Sequence, residues 1–185
     1  MTSFFKSLPA DAGPPNVFMA YPEIYRSWAA MRQALMNGPS PLSPGERELI
    51  LAYAAGVKGC AYVYGAHSEA AYASGLRRGL LEELLKDRAT ASVEPKLKAL
   101  LAYVAKLATT PQTLTQADAD AVFAAGWDEH ALHDAIAVTA RSAFLQTLVQ
   151  GHGFTPLPQE VSARNAEKRV KPGYMHLYPQ FRDTD

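Results

Sequence analysis

Residues 49–57 read Leu-Ile-Leu-Ala-Tyr-Ala-Ala-Gly-Val, a run without a single charged side chain. The run follows residues 43–46, Ser-Pro-Gly-Glu, in which a serine N-cap, a proline at the first helical position and a glutamate at the third form a capping box. A helix that is apolar on every face is buried on every face. We therefore expect a central helix over about residues 43–56. Because one short domain offers such a helix little cover, we also expect a homo-oligomer.

The rest of the chain shows the same helical pattern. Alanine and leucine recur at helical spacing, and Val, Ile and Thr nowhere alternate in strand-like runs. Start and stop signals predict about seven helices, near residues 22–37, 43–56, 60–74, 80–86, 92–108, 115–126 and 128–150. We expect an all-α fold, a single-domain helical bundle over residues 1–154, after an extended start that carries Pro14 and Pro15.

The last segment, residues 155–185, has a different composition. It carries Pro156, Pro158, Pro172 and Pro179 among scattered charges. Proline interrupts regular backbone hydrogen bonding, so we expect an irregular C-terminal tail. Such a tail is ordered mainly where it packs on the domain or on a neighbouring subunit.

Composition and charge exclude several classes of partner. The 185 residues include 18 basic and 18 acidic side chains, and 48% of them are hydrophobic. Without a basic surplus, neither nucleic acid nor a membrane surface is an expected partner. No apolar run is long enough to span a bilayer, and the first residues do not resemble a signal peptide. The single cysteine excludes an intramolecular disulfide and favours a cytoplasmic location.

Two residues with reactive side chains share one predicted helix. Cys60 begins it, where the backbone N–H groups favour a thiolate, and His67 follows on nearly the same face. About 10.5 Å along the axis separates them in a regular helix, which keeps them out of direct contact. The side chain at position 63 is the one best placed to meet both, and here it is valine. Taken singly, a buried apolar cysteine and a hydrogen-bonded core histidine are the simpler interpretations.

Glu48 lies at the start of the apolar helix. Its helical neighbours Leu51, Ala52 and Ala55 are all apolar, so its carboxylate faces desolvation. We expect it to find a hydrogen-bond partner, supplied by the next helix, or to hold a proton. The plainer interpretation is a glutamate that favours the helix N-terminus.

Glu48, Cys60 and His67 together resemble the pattern of the carboxymuconolactone decarboxylase family, in its alkylhydroperoxidase D-like branch. That pattern is a glutamate on one helix, then Cys-x-x-Cys, with a histidine four residues after the second cysteine. The three residues fall on matching positions, and Val63 replaces the second cysteine.

Two further stretches carry the resemblance, which covers about residues 14–155. Residues 15–18 and 42–48 look like the subgroup called peroxidase-related proteins. The resemblance implies an all-helical fold that assembles as dimers, trimers or hexamers. In complete members, histidine and glutamate form a proton relay that activates a thiol towards peroxide. The cysteine pair then closes as a disulfide and is recycled by a reductant, a step that cannot occur within this chain.

Three functions stay open, and the sequence favours the first. The first is a thiol-dependent peroxidase relative, in which peroxide oxidises Cys60 alone, His67 and Glu48 move protons, and an external thiol reductant or a neighbouring subunit resolves the product. The second is a decarboxylase- or lactone-type enzyme, in which His67 and Glu48 perform acid–base chemistry on a small organic acid whose carboxylate is held by Arg141. The third is a non-catalytic module that binds an apolar ligand or a partner between its helices.

Other polar residues are weaker candidates for a functional site. His130 and His133, with Asp134 adjacent, lie near the start of the last predicted helix, but no third ligand at metal-site spacing accompanies them. Arg141 lies in a largely apolar stretch, where an arginine can pair with Glu48 or contact an anionic substrate, but we expect it at an exposed edge of that helix. No phosphate-binding glycine loop and no Ser-His-Asp set occurs. We therefore expect neither a cofactor nor a metal.

Overall fold

Nine α-helices make up the described part of the chain, residues 3–170, 178 and 181 of this computed structural model, and no strand occurs in that part. They are α1 (Pro14–Ala20), α2 (Pro22–Asn37), α3 (Pro44–Val57), α4 (Ala61–Ala73), α5 (Leu80–Lys86), α6 (Pro95–Thr109), α7 (Gln116–Ala124), α8 (Glu129–Gly151) and α9 (Gln159–Val170). A short 3-10 helix at Pro111–Thr113 precedes α7. The all-α prediction is confirmed, and the predicted number of about seven helices is too low.

The two helices that the sequence did not predict lie at its two ends. Pro14 and Pro15 occupy the first two positions of α1, where the missing N–H of proline costs no helical hydrogen bond, so the expected extended start is wrong there. The expected irregular tail is wrong for α9, which begins directly after Pro158 and packs against α4. Residues 171–177, 179–180 and 182–185 lie outside the described residues. The domain boundary at residue 154 stays a prediction.

Helix α3 lies at the centre of the bundle. Ser43 Oγ accepts a hydrogen bond from the Glu46 N–H at 3.2 Å, and Glu46 Oε2 accepts one from the Ser43 N–H at 2.7 Å, which completes the predicted capping box. Every residue from 48 to 55 is buried. The helix packs against α4, α5, α6 and α8. The sequence therefore predicted both the start of α3 and its burial.

Helix α4 follows α3 after a tight turn and packs on it closely. Gly59 makes this turn possible, because its φ of 70° lies in the left-handed region that other residues avoid. On its other sides α4 contacts α8 and α9. Helix α8 is itself joined to α3 by Ser142, whose Oγ donates to the Leu51 carbonyl at 2.9 Å. No helix in the described part is long and apolar enough to cross a membrane.

Candidate active site

The packing of α3 on α4 brings Glu48 and His67 into direct contact. Nδ1 of His67 lies 2.6 Å from Oε2 of Glu48, and each side chain is only 6% exposed. Glu48 comes from the first turns of α3, and His67 comes from the middle of α4. The partner that the sequence predicted for Glu48 is therefore present, at hydrogen-bond distance.

The surroundings of His67 favour the neutral imidazole. Burial is the largest influence and lowers the pKa of His67 to about 4, with Glu48 opposing the shift and the positive charges of Arg141 and Arg169 adding to it. At neutral pH the ring then carries a single proton. When Nδ1 carries this proton and Nδ1–H donates a hydrogen bond to the Glu48 carboxylate, Nε2 keeps its lone pair. A neutral histidine of this kind can accept a proton through Nε2.

A cavity of about 550 Å³ lies in front of His67. Its walls come from α1, α2, α4, α8 and α9 and from the segments before α1 and α9. The charged residues among the described lining are Arg32, Arg141, Lys168 and Arg169, which are cationic, and Asp11, which is acidic. Two of the cations, Arg32 and Arg141, are each only 3% exposed. The cavity is therefore a positively charged environment in which a histidine forms part of the wall.

The two buried arginines lie beside the same indole ring. The guanidinium carbon of Arg32 is 4.8 Å from the ring centre of Trp28, and that of Arg141 is 6.0 Å from it. Arg32 also lies 5.0 Å from the ring centre of Tyr178 and 6.0 Å from that of Phe18. Such cation–π contacts stabilise buried guanidinium groups and leave their positive charge in place. The pair concentrates positive charge at one part of the cavity.

Cys60 occupies a different position. It is the N-cap residue of α4, is 3% exposed, and is not among the described residues that line the cavity. Val63 and His67 both line it. Position 63, where the family pattern has its second cysteine, therefore faces the same space as the histidine.

The remaining sequence candidates have mixed outcomes. Arg141 does not lie at an exposed edge of its helix, because α8 is packed against several helices and turns this residue inward. His130 is largely exposed and lies 3.5 Å from Asp134. The described residues hold no group of three or more side chains suited to a metal ion.

Two cavity residues were not predicted from the sequence. Arg32 has the apolar helical neighbours Trp28, Ala29, Leu35 and Met36, which is a signal of burial, and aromatic rings pack around it. Arg169 lies in the segment that was expected to be irregular. Its Nη1 donates to the Ala66 carbonyl at 3.1 Å, next to His67.

Comparison with known proteins gives two kinds of match. Residues 22–106 match the model of the carboxymuconolactone decarboxylase family. Among functionally described proteins, no sequence matches significantly. One similar solved structure is an alkylhydroperoxidase AhpD core, an uncharacterized peroxidase-related protein from Ralstonia eutropha JMP134, with 22% identity, a TM-score of 0.71, and coverage of 82% of this chain and 80% of that one.

A second solved structure supports the same fold. It is an uncharacterized peroxidase-related protein from Silicibacter sp. TM1040, with 22% identity and a TM-score of 0.67. The match covers 83% of this chain and 91% of that one. At this identity the likeness establishes the fold alone. Residues 22–106 are thus similar to the carboxymuconolactone decarboxylase family, and the described part of the chain has the fold of the alkylhydroperoxidase core.

Proposed function

We propose that the protein is an acid–base enzyme that acts on an organic carboxylate bound in front of His67. One observation carries this proposal. His67, held by Glu48 at 2.6 Å, faces a cavity whose described lining carries four cationic residues and one acidic residue. A carboxylate fits that charge balance, and a neutral histidine beside it fits proton transfer.

Each residue has a separate role in this reaction. His67 is the general base, and its Nε2 removes a proton from a carbon of the bound acid and later returns it. Glu48 is a positioning residue that fixes the tautomer and the orientation of the ring. Arg141 binds the substrate carboxylate. A decarboxylation uses the same transfer in the donating direction, since the bond to CO₂ breaks and the carbanion that remains takes up a proton at carbon.

Substrate binding also strengthens the base. Burial is the main cause of the lowered pKa of His67, and the charges of Arg141 and Arg169 lower it further. A bound carboxylate offsets those positive charges, so it raises the pKa of His67 towards the range of an effective general base. The base therefore becomes strongest when the substrate is present.

Hydrogen–deuterium exchange at carbon tests this function directly. A panel of oxo acids and lactone carboxylates is incubated in D₂O, and proton NMR follows the loss of C–H signals. We expect catalysed exchange with the wild type and with Cys60→Ser, and a rate at least ~100-fold lower with His67→Gln. Exchange that survives in His67→Gln, or that Cys60→Ser abolishes, contradicts the proposal.

A peroxidase that uses Cys60 alone is the second candidate. It is supported by the position of Cys60 at the N-terminus of α4 and by the peroxidase-related description of the two similar structures. In this reaction peroxide oxidises the thiolate to sulfenic acid and leaves as water or an alcohol, and an external thiol then restores the cysteine. Peroxide must reach a side chain that is 3% exposed.

A dimedone probe tests the second candidate. After treatment with peroxide at low concentration, we expect labelling of the wild type, no labelling of Cys60→Ser, and slower labelling of His67→Gln. A wild type that stays unlabelled rules out peroxide chemistry at Cys60. Because Cys60→Ser should leave proton exchange intact and abolish dimedone labelling, the pair of experiments separates the candidates.

A further inference from the structure

The wall that α8 contributes to the cavity changes from cationic to apolar along the helix. Arg141, Leu145 and Val149 all line the cavity and are spaced four residues apart, so they lie on one face of α8. Eight residues of helix span about 12 Å. One end of this stripe is a guanidinium group, and the rest of it offers only branched aliphatic side chains.

Helix α9 shows the same change on its own wall. Val161, Asn165 and Arg169 line the cavity at the same spacing of four residues. This stripe begins at an apolar side chain near the start of α9 and ends about 12 Å away at a cation. Two separate helices therefore present a polarity gradient to one cavity.

The cationic ends of both stripes meet at His67. Arg169 donates to the carbonyl of Ala66, the residue before His67, at 3.1 Å. Arg141 is close enough for its charge to act on His67. The C-terminal end of α8 lies near the start of α4 instead. The ring centre of Phe154, just beyond α8, is 6.3 Å from that of Tyr62 at the start of α4. The apolar end of the α8 stripe is thus turned away from the histidine.

The one acidic residue of the described lining lies at the other end of the cavity, near the start of α4. Asp11 is exposed and precedes Gly13 by two residues. A β-carbon at Gly13 would lie only 2.6 Å from the Tyr62 hydroxyl oxygen, which places this segment beside the start of α4. An acid there repels a substrate carboxylate, whereas Arg141 at the His67 end attracts it. The charges of the cavity therefore favour one orientation of an anionic ligand.

We propose that the substrates are amphipathic carboxylates, in which a carboxylate bound at the His67 end is joined to an apolar body of medium length that lies against Leu145, Val149 and Val161. This inference rests on the proposed function and names its substrate class. A cavity of about 550 Å³ has room for such a molecule. Short polar acids leave the aliphatic wall unused, and alcohols of the same length leave the cationic end without an anion.

Calorimetric titration of the full-length protein with butyrate, octanoate and octanol tests the inference without any turnover. Each methylene that becomes buried strengthens binding by about fourfold, so we expect octanoate to bind at least ~10-fold more tightly than butyrate. We expect octanol to bind several-fold more weakly than octanoate, because it lacks the negative charge. Arg141→Gln should remove the preference for octanoate over octanol.

A pair of variants on α9 tests the apolar wall. Val161 lines the cavity and is only partly buried, so Val161→Asn is expected to fold. It should weaken octanoate binding several-fold and leave butyrate binding unchanged. Ala163→Asn is the matched control, since it places the same side chain on the same helix at a residue outside the cavity lining. Circular dichroism confirms that both variants keep their helices.

The outcomes distinguish a failure of this inference from a failure of the proposed function. If butyrate binds as tightly as octanoate, and Arg141→Gln weakens both, the amphipathic class is wrong while carboxylate recognition stands. If octanol binds as tightly as octanoate, the cavity takes apolar ligands without regard to charge, and the inference is overturned. If no carboxylate binds, or if Arg141→Gln changes nothing, both the inference and the proposed function fail.

Discussion

His67 Nδ1 lies 2.6 Å from Glu48 Oε2, although nineteen residues separate the two along the chain. This contact predicts the effect of Glu48→Gln. The charge and hydrogen bond of Glu48 raise the pKa of His67 against the larger effect of burial, so the variant should lower that pKa further below its ordinary value. An amide also offers both a donor and an acceptor to the ring, so the tautomer is no longer fixed. We expect proton exchange at carbon to slow by about 100-fold.

Glu46→Gln is the matched control for that experiment. Glu46 lies two residues earlier on the same helix, and glutamine is accepted at its place in a capping box. Nitrogen NMR of the imidazole reports the tautomer and the pKa in each protein. A Glu48→Gln protein with an unchanged His67 pKa and full exchange activity would show that the carboxylate has no part in the chemistry.

The stability of the protein should depend on pH through His67. Burial holds its pKa at about 4 in the folded protein, against about 6.5 in the unfolded chain. Between these values the unfolded chain binds a proton that the folded protein does not, so the free energy of unfolding increases with pH. We expect a loss on the order of 3 kcal/mol as the pH falls from above 6.5 to 4, measured by urea unfolding.

Two histidine variants identify the source of that slope. His67→Gln removes the buried titrating group and should flatten the dependence between pH 4 and 6.5. His130→Gln removes a largely exposed histidine and should leave it unchanged. Equal slopes in the two variants would assign the pH dependence to other groups.

The sequence predicted, for a physical reason, that Glu48 would find a hydrogen-bond partner on the next helix. Glu48 is a carboxylate surrounded by apolar helical neighbours, and such a group requires a partner. The uncharged run over residues 49–57 likewise predicted the buried central helix, because no face of it suits solvent. Both inferences depend on local sequence, where burial leaves a clear pattern.

The cationic side of the cavity was not predicted. Arg32 has apolar helical neighbours, as Glu48 has, but the aromatic rings that bury it come from three parts of the chain, which only the tertiary packing brings together. Helix α9 has few buried side chains, Ser162 and Ala166, so its sequence lacks an apolar stripe, and the prolines before and after it suggested a tail. Its cavity residues became apparent only from its packing on α4.

The charge of Arg169 should be measurable at His67. After burial, which has the largest effect, the charge of Arg169 is among the influences that lower the pKa of His67, so Arg169→Gln should raise that pKa. Arg164→Gln is the matched control, because Arg164 is exposed on the same helix and is not among the described residues that line the cavity. An NMR titration of the imidazole measures both. A His67 pKa that responds equally to the two variants would mean that α9 has no specific electrostatic effect on the site.

Val63→Cys should introduce two-cysteine peroxide chemistry, for which the chain has only one of the two sulfurs. Position 63 is in the first turn of α4, lines the cavity together with His67, and completes Cys-x-x-Cys with Cys60. Peroxide would oxidise one thiolate to sulfenic acid, and the other would displace water from it to form a disulfide. We expect peroxide treatment to consume both thiols of the variant, counted with a thiol reagent after unfolding. With dithiothreitol present, peroxide consumption should exceed that of the wild type by at least ~10-fold.

The controls for this variant isolate the second sulfur. Val63→Ser keeps a small side chain at the position without a thiol, and Val63→Cys combined with Cys60→Ser leaves one thiol that faces the cavity. Neither can form the internal disulfide, so neither should sustain turnover through it, although the double variant should still form a sulfenic acid. If both thiols of Val63→Cys stay free after peroxide treatment, the first turn of α4 does not support the two-sulfur chemistry. Formation of the internal disulfide would then need more than a second cysteine at position 63, since the geometry around that position would also have to differ.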